Sequence, residues 1–467
     1  MRKTKIICTL GPATESEGVL REMIEAGANI FRLNMSHAPH DWVRMVVSRI
    51  RAVAVKMDVI VGILMDTQGP AIRTGDLPAK LDLKIGDVFE FTVRGTKSEE
   101  DYSVGVNYDG LIDDISVGDV VLVDNGVIHM KVLEKSGNKI RCEVLTEGVL
   151  GSRRHINLPG VKVNLPPLTE KDLADVALGA ELNVDMVALS FCREASDVLE
   201  LRRVLREHGS HARIIAKIED QIAIKNIDAI IHATDAVMVA RGDLGIECPM
   251  EDLPIIQRDI VRGCIRQGRP VIVATHMLES MISSPVPTRA EVTDVANAVY
   301  EQADAIMLSG ETTVGKYPVE CVRVLNKVAL RMERSDHAGY AKEAALSDLR
   351  HKTVNSAVVL ANSLENAKLL VFTRRGYTAD YISDLRPENT PIFAFTPSIE
   401  VCRQLVLNWG TYPQHLTFDL NPNRTIVDAE MALVKKGLAQ SGDQLIIFSD
   451  LQVGENRFDS IQLRVVP

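Results

Sequence analysis

The sequence predicts an α/β protein: a (β/α)8 TIM barrel carrying an inserted all-β unit and a C-terminal α/β unit. Three observations predict it. Eight short β-rich runs alternate with amphipathic helical patterns, the count of such a barrel. The alternation breaks once, after the third run, where the texture becomes hairpin-rich. A third texture begins after about Arg334. An open, doubly wound sheet is the competing arrangement for the first part.

The barrel runs are Lys5–Leu10, Ile30–Ser36, Val59–Asp66, Met186–Phe191, Arg213–Glu219, Ala236–Arg241, Pro270–Thr275 and Ala305–Ser309. Helical patterns follow nearly all of them, among them Glu17–Ala26, Trp42–Val55, Ser196–Glu207 and Ile255–Gln267. Between the third and fourth runs, Val88–Val93 and Lys139–Val144 alternate with turn residues, including Asp124-Asn125-Gly126. An insertion in a barrel's βα loop sits on the catalytic face and suits a lid. Pro159 and Leu165-Pro-Pro-Leu168 suit its hinges; a static structural insertion is the alternative. Beyond Arg334, Leu369–Phe372, Pro391–Phe395 and Gln444–Phe448 read as buried parallel strands. The expected division is a barrel over 1–70 and 166–334, a β-rich lid over 71–165, and an α/β unit over 335–467.

A chain of 467 residues accommodates two or three domains. Its net charge of −10 argues against nucleic acid as a partner, so an anionic substrate needs a local cationic site or a bound metal. Seven scattered cysteines without C-x-x-C spacing fit a reducing compartment and no structural zinc. Met1-Arg-Lys-Thr-Lys5 leads straight into a strand-like run, and no apolar run reaches membrane length. A soluble cytoplasmic protein without a signal peptide is expected.

The chemistry concentrates at the ends of the strand runs. Lys217 and Glu219 are two apart, so they share one strand face. Asp243, in the glycine-bracketed Arg241-Gly-Asp-Leu-Gly245, is placed to close a metal site beside them. Two carboxylates, with water and substrate supplying the rest, is how Mg²⁺ is usually held. A structural salt-bridge network is the bland alternative, although burying one is often no better than apolar packing. Arg32, Asn34 and Ser36 likewise alternate on one face, where a core strand would be apolar. Asp66 and Thr67 end the third run, and Arg73 stands where the insertion begins. Thr275, Ser309 and Glu311 extend the same rim. His276 is a candidate base, or a packing histidine. Thr288-Arg-Ala-Glu291 is a helix capping box. Carboxylates, cations and hydroxyls on one rim suit phosphoryl transfer, whose catalysis is mostly positioning and charge neutralisation.

Eight segments in order resemble the motifs of pyruvate kinases: Cys8–Thr14, Arg32–His37, Asp66–Pro70, Lys217–Glu219, Met238–Glu247, Ala274–Met281, Pro287–Val299 and Leu308–Thr312. The resemblance implies a homotetramer that makes pyruvate and ATP from phosphoenolpyruvate and ADP. By it, Lys217 neutralises the phosphoryl group and the enolate. Glu219 and Asp243 bind Mg²⁺ or Mn²⁺. The backbone of Arg241, Gly242 and Asp243 and the Thr275 hydroxyl hold the substrate carboxylate, and Thr275 lies on the path that protonates the enol. Arg32 and Arg73 grip phosphates, with Asn34 and His37 on the nucleotide side. Asn34, Ser36, Asp66 and the Thr67 carbonyl resemble the family's K⁺ site.

Three features depart from the family pattern. Members requiring K⁺ usually carry Thr-Lys-Gly-Pro-Glu after the third strand, and K⁺-independent members Leu-Gln-Gly-Pro-Lys. Thr67-Gln-Gly-Pro-Ala71 matches neither; without a lysine at position 71, K⁺ activation is expected. His276 replaces a frequent glutamine and Ala38 a frequent glycine, with modest nucleotide-side effects expected. In the C-terminal unit, Thr373, Gly376 and Thr378 form a plausible phosphate pocket for an allosteric effector, an ordinary αβ turn being the alternative. The glycine-rich closing loop of members activated by fructose 1,6-bisphosphate is not recognisable near Ser449–Arg457. Two other activities compete: a metal-dependent barrel lyase or aldolase acting on pyruvate-type enolates, and a catalytically silent metabolite sensor.

Overall fold

The computed structural model describes residues 1–346, 348–453 and 456–467. Eight parallel strands close into a barrel: β1 (Lys5–Thr9), β2 (Ile30–Asn34), β3 (Gly62–Asp66), β4 (Met186–Leu189), β5 (Arg213–Ile218), β6 (Ala236–Ala240), β7 (Val271–Ala274) and β8 (Ala305–Leu308). Their alternation sorts side chains into two layers. Ile7, Ile30, Leu64, Ile215, Met238 and Ile272 fill the barrel interior. Ile6, Phe31, Ile63, Val187, Val237 and Val273 pack outward into the larger apolar cluster shared with the helices. The open doubly wound sheet is thereby excluded.

Every strand starts or stops short of its expected run. The third starts at Gly62 instead of Val59, and the fifth stops at Ile218, leaving Glu219 beyond its end. The functional groups gather at the C-terminal ends: Asn34, Asp66 and Lys217 in the last positions of their strands, Ser190, Glu219 and Thr275 just past them. Arg241–Glu247, expected as a turn, is a short helix. The capping box is present: the Thr288 side chain accepts from the Glu291 N–H, and the Glu291 carboxylate accepts from the Thr288 N–H.

The segment between β3 and β4 carries a six-stranded sheet with its own core, including Phe89, Phe91, Val121, Met130 and Ile140. The strands Val120–Val123 and Ile128–Ser136 form a hairpin through Asp124, Asn125 and Gly126, all at positive φ (56°, 56° and 78°). That is the turn chemistry the sequence offers there. Its two connections to the barrel run side by side. Ile156 N–H donates to the Ile72 carbonyl at 2.9 Å and Thr74 N–H to that of Arg154 at 2.8 Å.

The C-terminal sheet has the order β11-β10-β9-β12-β13, with β9 (Ala367–Phe372), β10 (Ile392–Thr396), β11 (Thr411–His415), β12 (Gln444–Val453) and β13 (Asn456–Val465). The three expected strands are parallel. Two more join them: β11, and β13, which runs antiparallel to β12. Pro413 and His415 hid β11, since proline and polar residues weaken a strand pattern. The expected site of a closing loop includes Gly454 and Glu455, outside the described residues.

This sheet abuts the N-terminal ends of the barrel strands. Arg213 opens β5 and pairs with Asp380 at 2.9 Å. Asp304, just before β8, pairs with Arg386 at 2.6 Å, both buried. Val406 and Leu407 join the barrel's interior cluster. The opposite rim is left for the insertion and the site. Among the described residues no helix is long and apolar enough to cross a membrane.

Candidate active site

The rim is organised around one buried ammonium. Lys217, near the end of β5, places Nζ 2.9 Å from Glu219 Oε1, 3.3 Å from Asp66 Oδ1 and 2.8 Å from Ser190 Oγ. Asp66, the last residue of β3, takes Arg32 Nε on its other oxygen at 2.6 Å. Arg32 reaches on to Thr9 Oγ1 at 3.0 Å, and Ser190 Oγ donates to the Thr67 carbonyl at 2.7 Å. Five neighbouring strands, β1 to β5, thus share one network, and Asp66, Lys217, Glu219 and Arg32 are all buried.

Burial opposes each charge in this network. On Lys217 the Asp66 and Glu219 carboxylates overcome it and hold the ammonium's pKa above the ordinary lysine value. Asp66 is also penalised by burial, but Lys217 and Arg32 hold its carboxyl below the usual range. Glu219 has a different balance. Burial and the nearby Asp243 outweigh Lys217 and the Phe191 N–H, which donates to Oε2 at 2.5 Å, so its carboxyl is raised. A buried carboxyl raised in part by a neighbouring carboxylate is suited to sharing a cation with it.

A cavity of about 370 Å³ opens above this network. Arg32, Asn34, Ser36, Thr67, Arg73, Lys217, Glu219 and Asp243, all expected from the sequence, line it. Gln68 and Ala71 line it too. The insertion adds Asp124, Asn125, Arg153, Arg154 and His155. Sequence reasoning missed these and Ser190. The available signal was the run Arg153-Arg154-His155, a cationic cluster where the insertion rejoins the barrel.

Thr275 and Gly242 sit at neighbouring strand ends, outside that lining. The Gly242 N–H donates to Thr275 Oγ1 at 2.7 Å. Thr275 and His276 follow β7 at φ 69° and 56°, a conformation that a β-branched residue adopts only under constraint. Arg241 supplies the constraint. Its buried guanidinium donates to the Thr275 carbonyl at 2.6 Å, the Ala274 carbonyl at 3.2 Å and Asp294 Oδ1 at 2.6 Å. Of the remaining candidates, His37 is exposed. His276 is also exposed, 3.6 Å from Glu279. Glu311 accepts the Leu278 and Ser309 N–H groups at 3.0 and 2.7 Å, holding two loops together.

A second cavity, of about 590 Å³, lies in the C-terminal unit, with Thr373, Arg374, Arg375, Tyr377 and Thr378 in its wall. Gly376 adopts φ 93° between β9 and the helix Tyr377–Asp384. Its N–H donates to Thr373 Oγ1 at 2.9 Å.

A closed (β/α)8 barrel with this rim, capped on one side by a β-rich insertion, defines a barrel phosphotransferase. Comparison with known proteins specifies which. Residues 1–322 match the model of the pyruvate kinase barrel domain, and residues 351–463 that of the pyruvate kinase alpha/beta domain. A pyruvate kinase of Geobacillus stearothermophilus is 41% identical over 465 residues, covering 97% of this chain and 78% of the relative. Plastidial pyruvate kinase 2 of Arabidopsis thaliana is 41% identical, covering 96% of this chain and 77% of that one. The crystal structure of a pyruvate kinase from Cryptosporidium parvum superposes with a TM-score of 0.94 at 34% identity, covering 100% of this chain and 96% of the other. The chain belongs to the pyruvate kinase family.

Proposed function

We infer that the protein transfers the phosphoryl group of phosphoenolpyruvate to ADP, giving pyruvate and ATP. The observation that carries this reading is the buried Lys217 ammonium, held between Asp66 and Glu219 and open to a cavity lined by further cations. In the reaction the bond between phosphorus and the enol oxygen breaks. A terminal phosphate oxygen of ADP bonds to phosphorus, and the enolate takes a proton at its methylene carbon to become pyruvate. Negative charge accumulates first on the phosphoryl oxygens and then on the enolate oxygen. Lys217 neutralises both, and its fixed position costs no reorganisation during transfer.

Arg32 and Arg73 orient phosphate oxygens, with Asn34 and His37 on the nucleotide side. The backbone N–H groups of the segment Arg241–Asp243 and the Thr275 hydroxyl hold the substrate carboxylate, and Thr275 lies on the protonation path. Glu219 and Asp243 would hold Mg²⁺ or Mn²⁺, which when bound neutralises phosphoryl charge. The fit rests on two carboxylates lining one cavity, one with a raised carboxyl. Asn34, Ser36, Asp66 and the Thr67 carbonyl would hold K⁺.

Residues 71–165 act as a lid over the barrel of residues 1–70 and 166–334, excluding water until transfer is complete. Residues 335–467 bind a phosphorylated effector through Thr373, Gly376 and Thr378. The working form is a cytoplasmic homotetramer.

The test is pyruvate formation from phosphoenolpyruvate and Mg²⁺, with and without ADP, in the wild type and Lys217→Met. ADP-dependent formation that collapses about a thousandfold or more in the variant is expected, the loss of a principal charge-stabilising group. ADP-independent pyruvate release would instead indicate a lyase or a phosphatase.

A further inference from the structure

His155 lies in the wall of the catalytic cavity with no role so far assigned. It sits on the return connection of the insertion, bridged antiparallel to Arg73, and its carbonyl accepts the Asp124 N–H at 3.0 Å. Its ring lies 5.9 Å from that of Phe191, centroid to centroid, tilted by 48°. Phe191 is the residue whose N–H holds Glu219. The His155 backbone is therefore held by Arg73 and Asp124, and its imidazole rests against Phe191, all groups that build the site.

Its nitrogens are nevertheless unused. Among the described residues no hydrogen bond holds either of them. The other half-buried histidines of the barrel and insertion both have partners: His40 Nε2 lies 2.7 Å from Asp175 Oδ1, and His129 Nε2 lies 2.9 Å from the Gly126 carbonyl. The nitrogens of His155 are not sealed in the interior, and since the residue lines the cavity they are free to take a partner there. Burial, with Arg73 nearby, lowers the pKa of His155 against the pull of Asp243, and an imidazole carries at least one N–H in either protonation state. It shares the cavity wall with Arg73 and Asp243. On the proposed reading, a phosphoryl group held between those two would lie beside it.

We propose that His155 donates its ring N–H to an oxygen of the phosphoryl group in transfer, as a substrate-contacting residue supplied by the insertion. The proposal rests on reading this cavity as the phosphoryl-transfer site. A donor on the stalk beside Arg73 reaches the phosphoryl group when the insertion is docked. It links the position of the insertion to the transfer step.

Three variants test it. His155→Gln keeps an N–H donor without the ring. His155→Phe keeps the ring on Phe191 without a donor. His155→Leu has neither. Each is assayed for kcat, for the KM of phosphoenolpyruvate and of ADP, and for melting temperature. The Phe and Leu variants are expected to lose about ten- to a hundredfold in kcat, the cost of one hydrogen bond to a charged group. Their melting temperatures are expected to match the wild type, and His155→Gln to retain most of the rate. Wild-type activity in the Phe variant would make the ring a packing element and overturn the proposal. Equal losses in the Gln and Leu variants would do the same, and that pair decides if the Phe variant fails to fold. ADP dependence of the wild type checks the underlying reading separately.

Discussion

At the scale of single residues, the site is a matter of charge balance. Lys217 and Glu219 were legible because two-apart residues on a strand must face the same way, and the structure puts their charged atoms 2.9 Å apart. Asp66 was legible only as a cation ligand. Its bridging of Arg32 and Lys217 joins three segments distant in sequence, and no local spacing encodes that. Its two oxygens are already engaged by those cations, while Ala71 brings no charge to the cavity wall. On the proposed K⁺ site, the ion would supply the positive charge that position 71 lacks. Raising K⁺ against tetramethylammonium at constant ionic strength should increase the rate several-fold, and Ala71→Lys should be insensitive, its ammonium standing in for the ion. A wild-type rate flat from zero to saturating K⁺ would sink this idea.

At the scale of elements, the alternation of eight strands and helices was plain in the sequence, because a barrel imposes one period on every wall. The strand ends were not, since the ladder stops where loop contacts take over. The end of β7 shows why. Thr275 and His276 adopt left-handed backbone because Arg241, from the end of β6, holds the Ala274 and Thr275 carbonyls and Asp294 together. From sequence Arg241 had only a backbone role. If the side chain sets the loop, Arg241→Lys should cost about tenfold or more in kcat and lower the melting temperature, because an ammonium lacks the planar fork that reaches three acceptors at once. Kinetics indistinguishable from the wild type would reduce Arg241 to its backbone. The helix Tyr377–Asp384 permits a parallel test. It carries Thr378 in the wall of the second cavity and, two residues on, Asp380, paired with Arg213 at the start of β5. Thr378→Glu places a carboxylate where a phosphate is to bind. It should abolish activation by ribose 5-phosphate, glucose 6-phosphate or AMP, whichever stimulates the wild type. Persistence of that activation would remove the cavity from the effector reading.

At the scale of the molecule, the three textures of the sequence correspond to distinct apolar clusters: two in the barrel, one in the insertion and two on the C-terminal sheet, with Val406 and Leu407 of the C-terminal unit joining the barrel's interior cluster. What the sequence withheld was the contacts between them, because a junction residue looks like any polar surface residue until its partner is known. Glu247 is such a residue. It is buried beneath the insertion and accepts Asn157 Nδ2 at 2.9 Å. Burial, reinforced by Asp220 and Asp243 against the Asn157 bond, pushes its carboxyl up to about 7. An unfolded glutamate titrates near 4.3, about the ordinary value. Between those two pH values the folded protein holds a proton that the unfolded chain has lost, so stability falls as pH rises through the window. Below it the contribution is neutral; above it the ionised carboxylate is a standing penalty on the order of 4 kcal/mol at the junction. Glu247→Gln keeps the volume and the Asn157 contact but cannot ionise. In metal-free buffer the variant should melt a few degrees above the wild type at pH 8 and together with it at pH 5. An equal shift at both pH values would mean that packing, not ionisation, governs the junction. Coincident melting at pH 8 would mean that Asn157 and water already stabilise the charge. The sign also sets a direction for the intact enzyme. If the insertion closes as proposed, an ionised Glu247 beneath it should weaken that closure above neutrality; the KM for phosphoenolpyruvate is then expected to rise at alkaline pH in the wild type and less in Glu247→Gln, and identical pH profiles would separate Glu247 from closure.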